Sequence, residues 1–121
     1  MYIKVFLLFI YMPKQNKIIV FDLNDNNIKK FAKEMSSHGM IFVAFLADWC
    51  GHCQHFKPEW EKIKTHLKNT QGNGHIITVS DKHMHELPCK LPSGFPTMSL
   101  YNGNKHIKDY DGGRNMPEGL Q

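Results

Sequence analysis

The sequence is short of cysteine, of clustered positive charge and of long apolar runs. Three cysteines in 121 residues are too few for a disulfide-stapled scaffold, in which several bridges replace a core. The net charge is +4, but the lysines and arginines are scattered, with no basic run longer than a pair. We therefore expect no nucleic-acid partner. The length suits one domain with its own core.

The apolar run near the start, Val5–Met12, has only eight residues, whereas a membrane-spanning helix needs about 20. Residues 1–16 therefore form an apolar leader with three possible roles. It is a signal or anchor segment, or a strand or packing arm, or, if Met12 is the true start, a segment that is not made. We expect membrane contact only through this leader, and residues 17–121 form the folded domain.

The distribution of apolar and polar residues divides that domain into predicted strands and helices. Strands are predicted, in order, at Lys17–Phe21, Ile41–Leu46, Ile76–Val79, Met98–Tyr101 and His106–Tyr110. The second of them is apolar on both faces, which is typical of a central strand covered by helices on each side. The order of elements indicates an α/β fold.

Two helices are predicted from apolar residues that recur on one face. The first begins at a cap formed by Asp25 or Asn26, and the second follows the central strand. Their apolar positions are Ile28, Phe31, Ala32 and Met35 in the first helix, and Phe56, Trp60, Ile63 and Leu67 in the second. A loop is expected at Gln71–Gly74, a short helix or turn at Asp81–Lys90, and a hairpin turn at Asn102–Gly103.

Two cysteines stand at the junction of the central strand and the second helix. Cys50 and Cys53 are separated by Gly51 and His52, and residues three apart share a helix face at nearly the Cβ separation that a disulfide requires. The unpaired N–H groups of the first helical turn favour a thiolate at Cys50. We therefore expect a redox pair in which Cys50 is the nucleophile and Cys53 the resolving thiol, with His52 tuning the potential and Gly51 leaving room for substrate.

Two other interpretations of the cysteines compete with the redox pair. Both could be plain core residues, although Trp49 and Gly51 beside them mark an element boundary. Cys50, Cys53, His55 and Cys89 could form a zinc set, but the chain has no second close pair with finger-like spacing. A c-type haem requires histidine directly after the second cysteine, where this chain has Gln54.

The segment from Lys17 to Leu120 resembles the thioredoxin superfamily, and within it the catalytic domains of protein disulfide isomerases. The motifs that carry the resemblance are FVAFLADWCGHC (Phe42–Cys53), Pro58, SGFPT (Ser93–Thr97) and YDGGR (Tyr110–Arg114). The resemblance implies a thioredoxin fold, with a central mixed sheet flanked by helices. It also implies a redox-active Cys50–Cys53 disulfide. Because such domains close with a full helix after YDGGR, the final helix, beginning at Pro117, is expected to be truncated here.

The same resemblance implies roles for residues outside the cysteine pair. Pro96 matches a cis-proline that faces the dithiol, so the backbone of Phe95 is expected to bind an extended substrate beside Cys50. Trp49 covers the pair and shapes the docking surface. Arg114 matches an arginine that helps to lower the pKa of the second cysteine. Cys89 matches a buried thiol, with a regulatory or intermolecular thiol as the alternative.

One departure from the family's pattern bears on catalysis. The family keeps a buried Asp or Glu six residues before the first cysteine, where it takes the proton from the second cysteine. This chain has Ala44 there. We therefore expect slower resolution of mixed disulfides, with His52 or His55 as possible replacement bases.

These observations predict an enzyme, a thiol-disulfide oxidoreductase of the protein disulfide isomerase type. It would form, reduce or rearrange disulfides in cysteine-containing polypeptides and exchange electrons with an oxidase, a reductase or glutathione. It would need no organic cofactor and no metal. The alternatives are a thioredoxin-like general reductant and a low-turnover, chaperone-like binding module. The expected location is the endoplasmic reticulum lumen or the secretory pathway, with the cytoplasm as the alternative.

Overall fold

The computed structural model of the chain describes residues 16–110. Seven strands, two α-helices and two 3₁₀ turns make up this part of the chain. They are β1 (Asn16–Lys17), β2 (Ile19–Asp22), α1 (Ile28–Glu34), a 3₁₀ turn (Met35–Ser37), β3 (Met40–Leu46), α2 (Gly51–Leu67), β4 (Gln71–Gly72), β5 (His75–Ser80), a 3₁₀ turn (Met84–Glu86), β6 (Thr97–Asn102) and β7 (Lys105–Tyr110).

Five strands form one mixed sheet in the order β2-β5-β3-β6-β7. β5 lies parallel to both β2 and β3, whereas β6 runs antiparallel to β3 and to β7. Because β3 is the middle strand, as its apolar sequence predicts, its carboxyl end opens onto the edge where parallel sheets place their sites. The expected thioredoxin-type arrangement, a mixed sheet flanked by helices, is confirmed.

Alternate residues of β3 pack into two separate apolar layers, one on each face of the sheet. Phe42, Ala44 and Leu46 belong to the cluster that contains Cys53 and Trp60 of α2. The intervening residues of the strand pack instead with α1 and the segment that follows β5; they are Ile41, Val43 and Phe45. The sheet is therefore covered on both faces, which explains why this strand is apolar without alternation.

Helix α2 is fixed to the sheet by polar contacts as well as by its apolar face. The Trp60 indole Nε1 donates to the Thr78 hydroxyl of β5 at 2.7 Å. One turn further on, the Lys64 ammonium contacts Asp22 of β2 and Glu61, each at 2.9 Å. Burial alone would lower the pKa of Lys64, but the hydrogen bonds to these two carboxylates outweigh it and raise the pKa above its usual value.

Two elements before and after helix α2 differ from the sequence-based predictions. The single strand expected at Lys17–Phe21 is split into β1 and β2, because β1 pairs with β4 and β2 with β5. The predicted loop Gln71–Gly74 accordingly contains the two-residue strand β4. Such short pairings leave no periodic signal.

The cap of helix α1 and the hairpin turn also differ by one or two residues. Asn27, not Asp25 or Asn26, is the N-cap residue of α1, because the Asn24 side chain organises the preceding turn by accepting from the Asn26 and Asn27 amides. Asn102 remains in β6 and pairs with Lys105. The turn therefore lies at Gly103 and the residue after it, and Gly103 has a positive φ of 61°.

Several predictions fall outside residues 16–110. They are the roles of the leader, the role of Arg114 and the truncated final helix. Within the described range, no helix has the length and apolar character needed to cross a membrane.

Candidate functional site

The cysteine pair lies at the start of helix α2, directly beyond the central strand. Cys50 is the N-cap residue, with extended backbone angles (φ −93°, ψ 117°), and its sulfur accepts the backbone N–H of Cys53 at 3.1 Å. The Cys50 carbonyl accepts from the Gln54 amide at 3.2 Å, which closes the first helical turn. The cysteine sulfur thus occupies the position that a serine or aspartate oxygen takes in an ordinary N-cap.

The loop that contains Pro96 faces this sulfur. The Cys50 thiol donates to the Phe95 carbonyl, with a sulfur–oxygen distance of 3.6 Å. The Phe95–Pro96 peptide bond is cis, as the family resemblance implies. Two segments that are 45 residues apart therefore meet at one sulfur.

Trp49 stands beside this junction as an exposed aromatic ring. Its side chain is held on two sides although the residue is 71% exposed. The indole packs edge-on against the Phe95 ring, with centroids 5.6 Å apart, and Nε1 donates to Asp81 Oδ2 at 2.8 Å. That hydrogen bond holds the pKa of the Asp81 carboxyl below its usual value. The result is an apolar surface of fixed orientation next to Cys50.

The two cysteines differ in their surroundings. Both are free thiols, Cys50 is 7% exposed and Cys53 is 1% exposed. Burial, together with the hydrogen bond to Cys50, raises the pKa of Cys53 to about 12. Cys53 therefore keeps its proton at neutral pH unless a partner removes it.

A cavity of about 190 Å³ lies behind Cys53. Its wall includes Asp22 from β2, Thr78 from β5 and Lys57 from α2. Ala44, where the family's buried acid was expected, is fully buried in β3. Thr78 is its neighbour in register on β5. Two polar residues of the cavity wall, Asp22 and Thr78, thus come from strands other than the one that precedes the cysteines.

A scan with family models finds that the thioredoxin model matches residues 20–120. The chain belongs to the thioredoxin family. Mouse protein disulfide-isomerase A6 is 38% identical over 96 residues, which cover 78% of this chain and 21% of the mouse protein. A rice relative, protein disulfide isomerase-like 2-1, is 39% identical over 79 residues, which cover 64% of this chain and 22% of that protein. The chain thus spans about a fifth of the length of these relatives.

Solved structures show the same fold. The first thioredoxin domain of mouse protein disulfide-isomerase A4 matches with a TM-score of 0.55 and 31% identity, covering 78% of this chain and 66% of that domain chain. Thioredoxin from Trypanosoma brucei brucei matches with a TM-score of 0.58, covering 84% and 87% of the two chains, but at 20% identity it shows the fold alone. Membership of the thioredoxin family and the adjacent thiols together support a thioredoxin-like oxidoreductase.

Not all of the residues selected from the sequence meet at this thioredoxin-family site. Gly51 and His52 are exposed on the first turn of α2, and an added Cβ at Gly51 would meet nothing within 4 Å. Cys89 packs with the apolar layer on the other face of the sheet, where burial raises the pKa of its thiol. Within residues 16–110, no three side chains are grouped to hold a metal ion, so the zinc set is not assembled.

Sequence reasoning missed Asp81, Asp22 and Thr78. Each lies in or just after β2 or β5, the two parallel strands on one side of β3, and Asp81 is 32 residues from the tryptophan that it binds. The positions of Asp22 and Asp81 at the carboxyl ends of β2 and β5 were a usable signal, since those ends meet at one edge of the sheet. The register that brings them together is set by strand pairing and leaves no local pattern.

Proposed function

We propose that this domain is a thiol-disulfide oxidoreductase of the protein disulfide isomerase type, acting on cysteines of polypeptide substrates. One observation carries the proposal: the Cys50 sulfur caps helix α2, accepts the Cys53 N–H and contacts the Phe95 carbonyl. A nucleophile, a resolving thiol and a substrate-binding backbone segment thereby share one site. The similarity to protein disulfide-isomerase A6 and A4 favours the isomerase type.

The reaction follows from the order of the two sulfurs. The Cys50 thiolate attacks a substrate disulfide, its S–S bond breaks, one substrate sulfur joins Cys50 and the other leaves as a thiolate. Cys53 then attacks the Cys50 sulfur, which releases the second substrate sulfur and leaves a Cys50–Cys53 disulfide. The reverse sequence transfers that disulfide to a reduced substrate. In this proposal His52, exposed on the first turn of α2, tunes the potential of the pair.

The substrate-binding surface consists of Trp49, Gly51, Phe95 and Pro96. The exposed indole, held by Asp81 and the Phe95 ring, provides an apolar surface for a flexible polypeptide. The open space above Gly51 gives a substrate sulfur access to Cys50. Main-chain contacts at Phe95 bind backbone and not a particular side chain, which suits a protein that acts on many substrates.

The sulfurs themselves carry the electrons in this proposal, so the reaction needs a redox partner and no cofactor. That partner is an oxidase, a reductase or glutathione. The secretory pathway, with its oxidising lumen, is the compartment in which such a disulfide would be used.

Insulin reduction and refolding of a scrambled, misbridged substrate test this function. Cys50→Ser is expected to abolish both activities, whereas Cys89→Ser, which removes the thiol on the opposite face of the sheet, should leave both intact. Cys53→Ser should accumulate a covalent complex with substrate. Activity that survives Cys50→Ser would refute the proposal.

A low-turnover binding module is the second candidate, and the buried Cys53 thiol beside Ala44 favours it. Such a module would bind the scrambled substrate fully yet show no turnover in the intact protein. The reduction potential of the Cys50–Cys53 pair distinguishes a thioredoxin-like reductant from the isomerase type. About −270 mV would indicate the reductant, and about −180 mV the isomerase type.

A further inference from the structure

Three residues on neighbouring strands form a row across the sheet beneath the resolving thiol. Asp22 of β2 pairs with Thr78 of β5, and Thr78 pairs with Ala44 of β3. Residues paired in register project from the same face of a sheet, with strands about 4.8 Å apart. Asp22 therefore carries a carboxylate on the same face as Ala44, about 10 Å away across two strands.

Helix α2 covers this row with residues of a single face. Cys53, Lys57, Trp60 and Lys64 recur at positions i, i+4, i+7 and i+11. Trp60 binds the Thr78 hydroxyl and Lys64 binds Asp22 Oδ1, while Ala44 shares an apolar cluster with Cys53 and Trp60. The row and the resolving cysteine are thus held in one layer between sheet and helix.

The cavity behind Cys53 connects the thiol to the far end of the row. Its wall includes Cys53, Thr78 and Asp22, and about 190 Å³ is room for several water molecules at about 30 Å³ each. Hydroxyl and carboxylate groups on the wall give such waters the partners that they require. A proton can therefore travel from Cys53 to Asp22 without crossing apolar core.

The charged groups around the cavity single out Asp22 as the acceptor. Lys57 is an ammonium, which has no lone pair to receive a proton. Asp48 lies outside the row, in the loop after β3, and its side chain is 77% exposed and contacts Lys82, whereas the side chain of Asp22 is 58% exposed. Asp22 Oδ1 is held by Lys64, and its second carboxylate oxygen can accept from water in the cavity. Cys50 and Asp81 also act on Cys53 electrostatically, and both favour its protonated form.

We propose that Asp22 receives the proton of Cys53, through water in the cavity, when Cys53 resolves a mixed disulfide. This inference rests on the proposed function and assigns the proton transfer to a different strand from the one that carries Ala44. The Cys53 S–H bond breaks and its proton passes to the Asp22 carboxylate. The thiolate then attacks the Cys50 sulfur, the bond from Cys50 to the substrate breaks, and the departing sulfur takes a proton from solvent.

A single-turnover experiment on the full chain isolates this step. The reduced protein is mixed with glutathione disulfide and quenched with acid at intervals. Mass spectrometry then follows the Cys50–glutathione adduct as it converts to the Cys50–Cys53 disulfide, and peptide mapping separates any adduct on Cys89. Adduct formation reports the attack by Cys50, and adduct decay reports the resolution by Cys53.

Asp22→Asn should slow adduct decay at neutral pH by about tenfold or more, since general-base catalysis contributes about 10²–10⁴-fold. In Asp22→Asn the rate of adduct decay should also depend more steeply on pH, approaching a tenfold increase per pH unit. The reason is that hydroxide then has to remove the proton from Cys53. Asp22→Glu, which restores a carboxylate, should recover most of the rate. The rate at which the adduct forms should be the same in all variants.

Glu61→Gln is the matched control, because Glu61 also contacts the Lys64 ammonium at 2.9 Å but does not line the cavity behind Cys53. It should leave adduct decay and its pH profile unchanged. The inference is overturned if Asp22→Asn behaves like Glu61→Gln, or if Asp48→Asn slows decay and Asp22→Asn does not. If no adduct forms on Cys50 in the parent protein, the proposed function itself fails.

Discussion

Lowering the pH from 7 to 4 should destabilise the domain through one half-buried histidine, His75. This residue begins β5, and its ring lies 4.5 Å from the ring of His38 and 6.4 Å, edge-on, from that of Phe21. Its Nδ1 atom is buried with no hydrogen-bond partner among the described residues. Burial, assisted by the nearby His38, lowers the pKa of His75 from 6.5 to about 4.

The sign and size of the effect follow from that pKa. Between pH 6.5 and about 4 the unfolded chain binds a proton at His75 that the folded chain does not, so the free energy of unfolding falls as the pH falls. The full contribution is present above pH 6.5. At about 1.4 kcal/mol per pH unit, the loss reaches about 3 kcal/mol at pH 4, of which about 1 kcal/mol has gone by pH 5.5.

Urea unfolding at a series of pH values measures this loss, and His75→Leu should remove it. The variant should lose about 3 kcal/mol less than the parent between pH 7 and pH 4. His66→Leu, at an exposed position of α2, serves as the control and should keep the parental pH dependence. Equal losses in the parent and in His75→Leu would show that His75 does not cause the pH dependence, and a domain more stable at pH 4 than at pH 7 would contradict the predicted sign.

Three further predictions concern the site and the hairpin. Ala44→Glu should shorten the lifetime of mixed disulfides about tenfold or more relative to Ala44→Gln, because it adds a proton acceptor in the layer that contains Cys53. Asp81→Ala should raise the KM for a polypeptide substrate about 2–10-fold, with little change towards glutathione, because it frees the Trp49 indole. Gly103→Ala should lower the free energy of unfolding by about 1–3 kcal/mol.

The physical reasons and controls for these variants differ. Trapping of covalent substrate complexes measures the mixed-disulfide lifetimes of the two Ala44 variants. Equal lifetimes in Ala44→Glu and Ala44→Gln would contradict the prediction. For Asp81→Ala, steady-state kinetics with both substrates should show the rise in KM for the polypeptide substrate and no comparable rise for glutathione. For the third, a Cβ at Gly103 would lie 2.7 Å from the Ser36 carbonyl oxygen at a positive φ. Gly39→Ala, which also has a positive φ but open space around it, should cost less.

The sequence was sufficient wherever one residue pattern decides one element. The unbroken apolar run of β3 indicated a central strand, and the spacing of Phe56 and Trp60 indicated which face of α2 is buried. The cysteine spacing indicated the position of the thiols at the start of that helix. In each case the signal lies in the types and spacing of residues that are close together in the sequence.

The features that were missed depend on pairing between distant strands. The β1–β4 pair is two residues long, too short for a pattern. The Trp49–Asp81 hydrogen bond and the row from Ala44 to Asp22 exist only because β2, β3 and β5 pair in one register. The N-cap of α1 was misplaced because the Asn24 side chain forms a local turn, an interaction that competes with helix initiation.

Equilibration of the full chain with glutathione buffers of graded redox ratio tests whether Cys50 and Cys53 form the redox pair of this domain. Mass spectrometry with peptide mapping then identifies which sulfurs are joined. The proposed function predicts one reversible two-electron transition, with an internal Cys50–Cys53 disulfide as its product, Cys89 remaining a thiol, and a midpoint of about −180 mV. A chain that forms no Cys50–Cys53 disulfide at any ratio would contradict it.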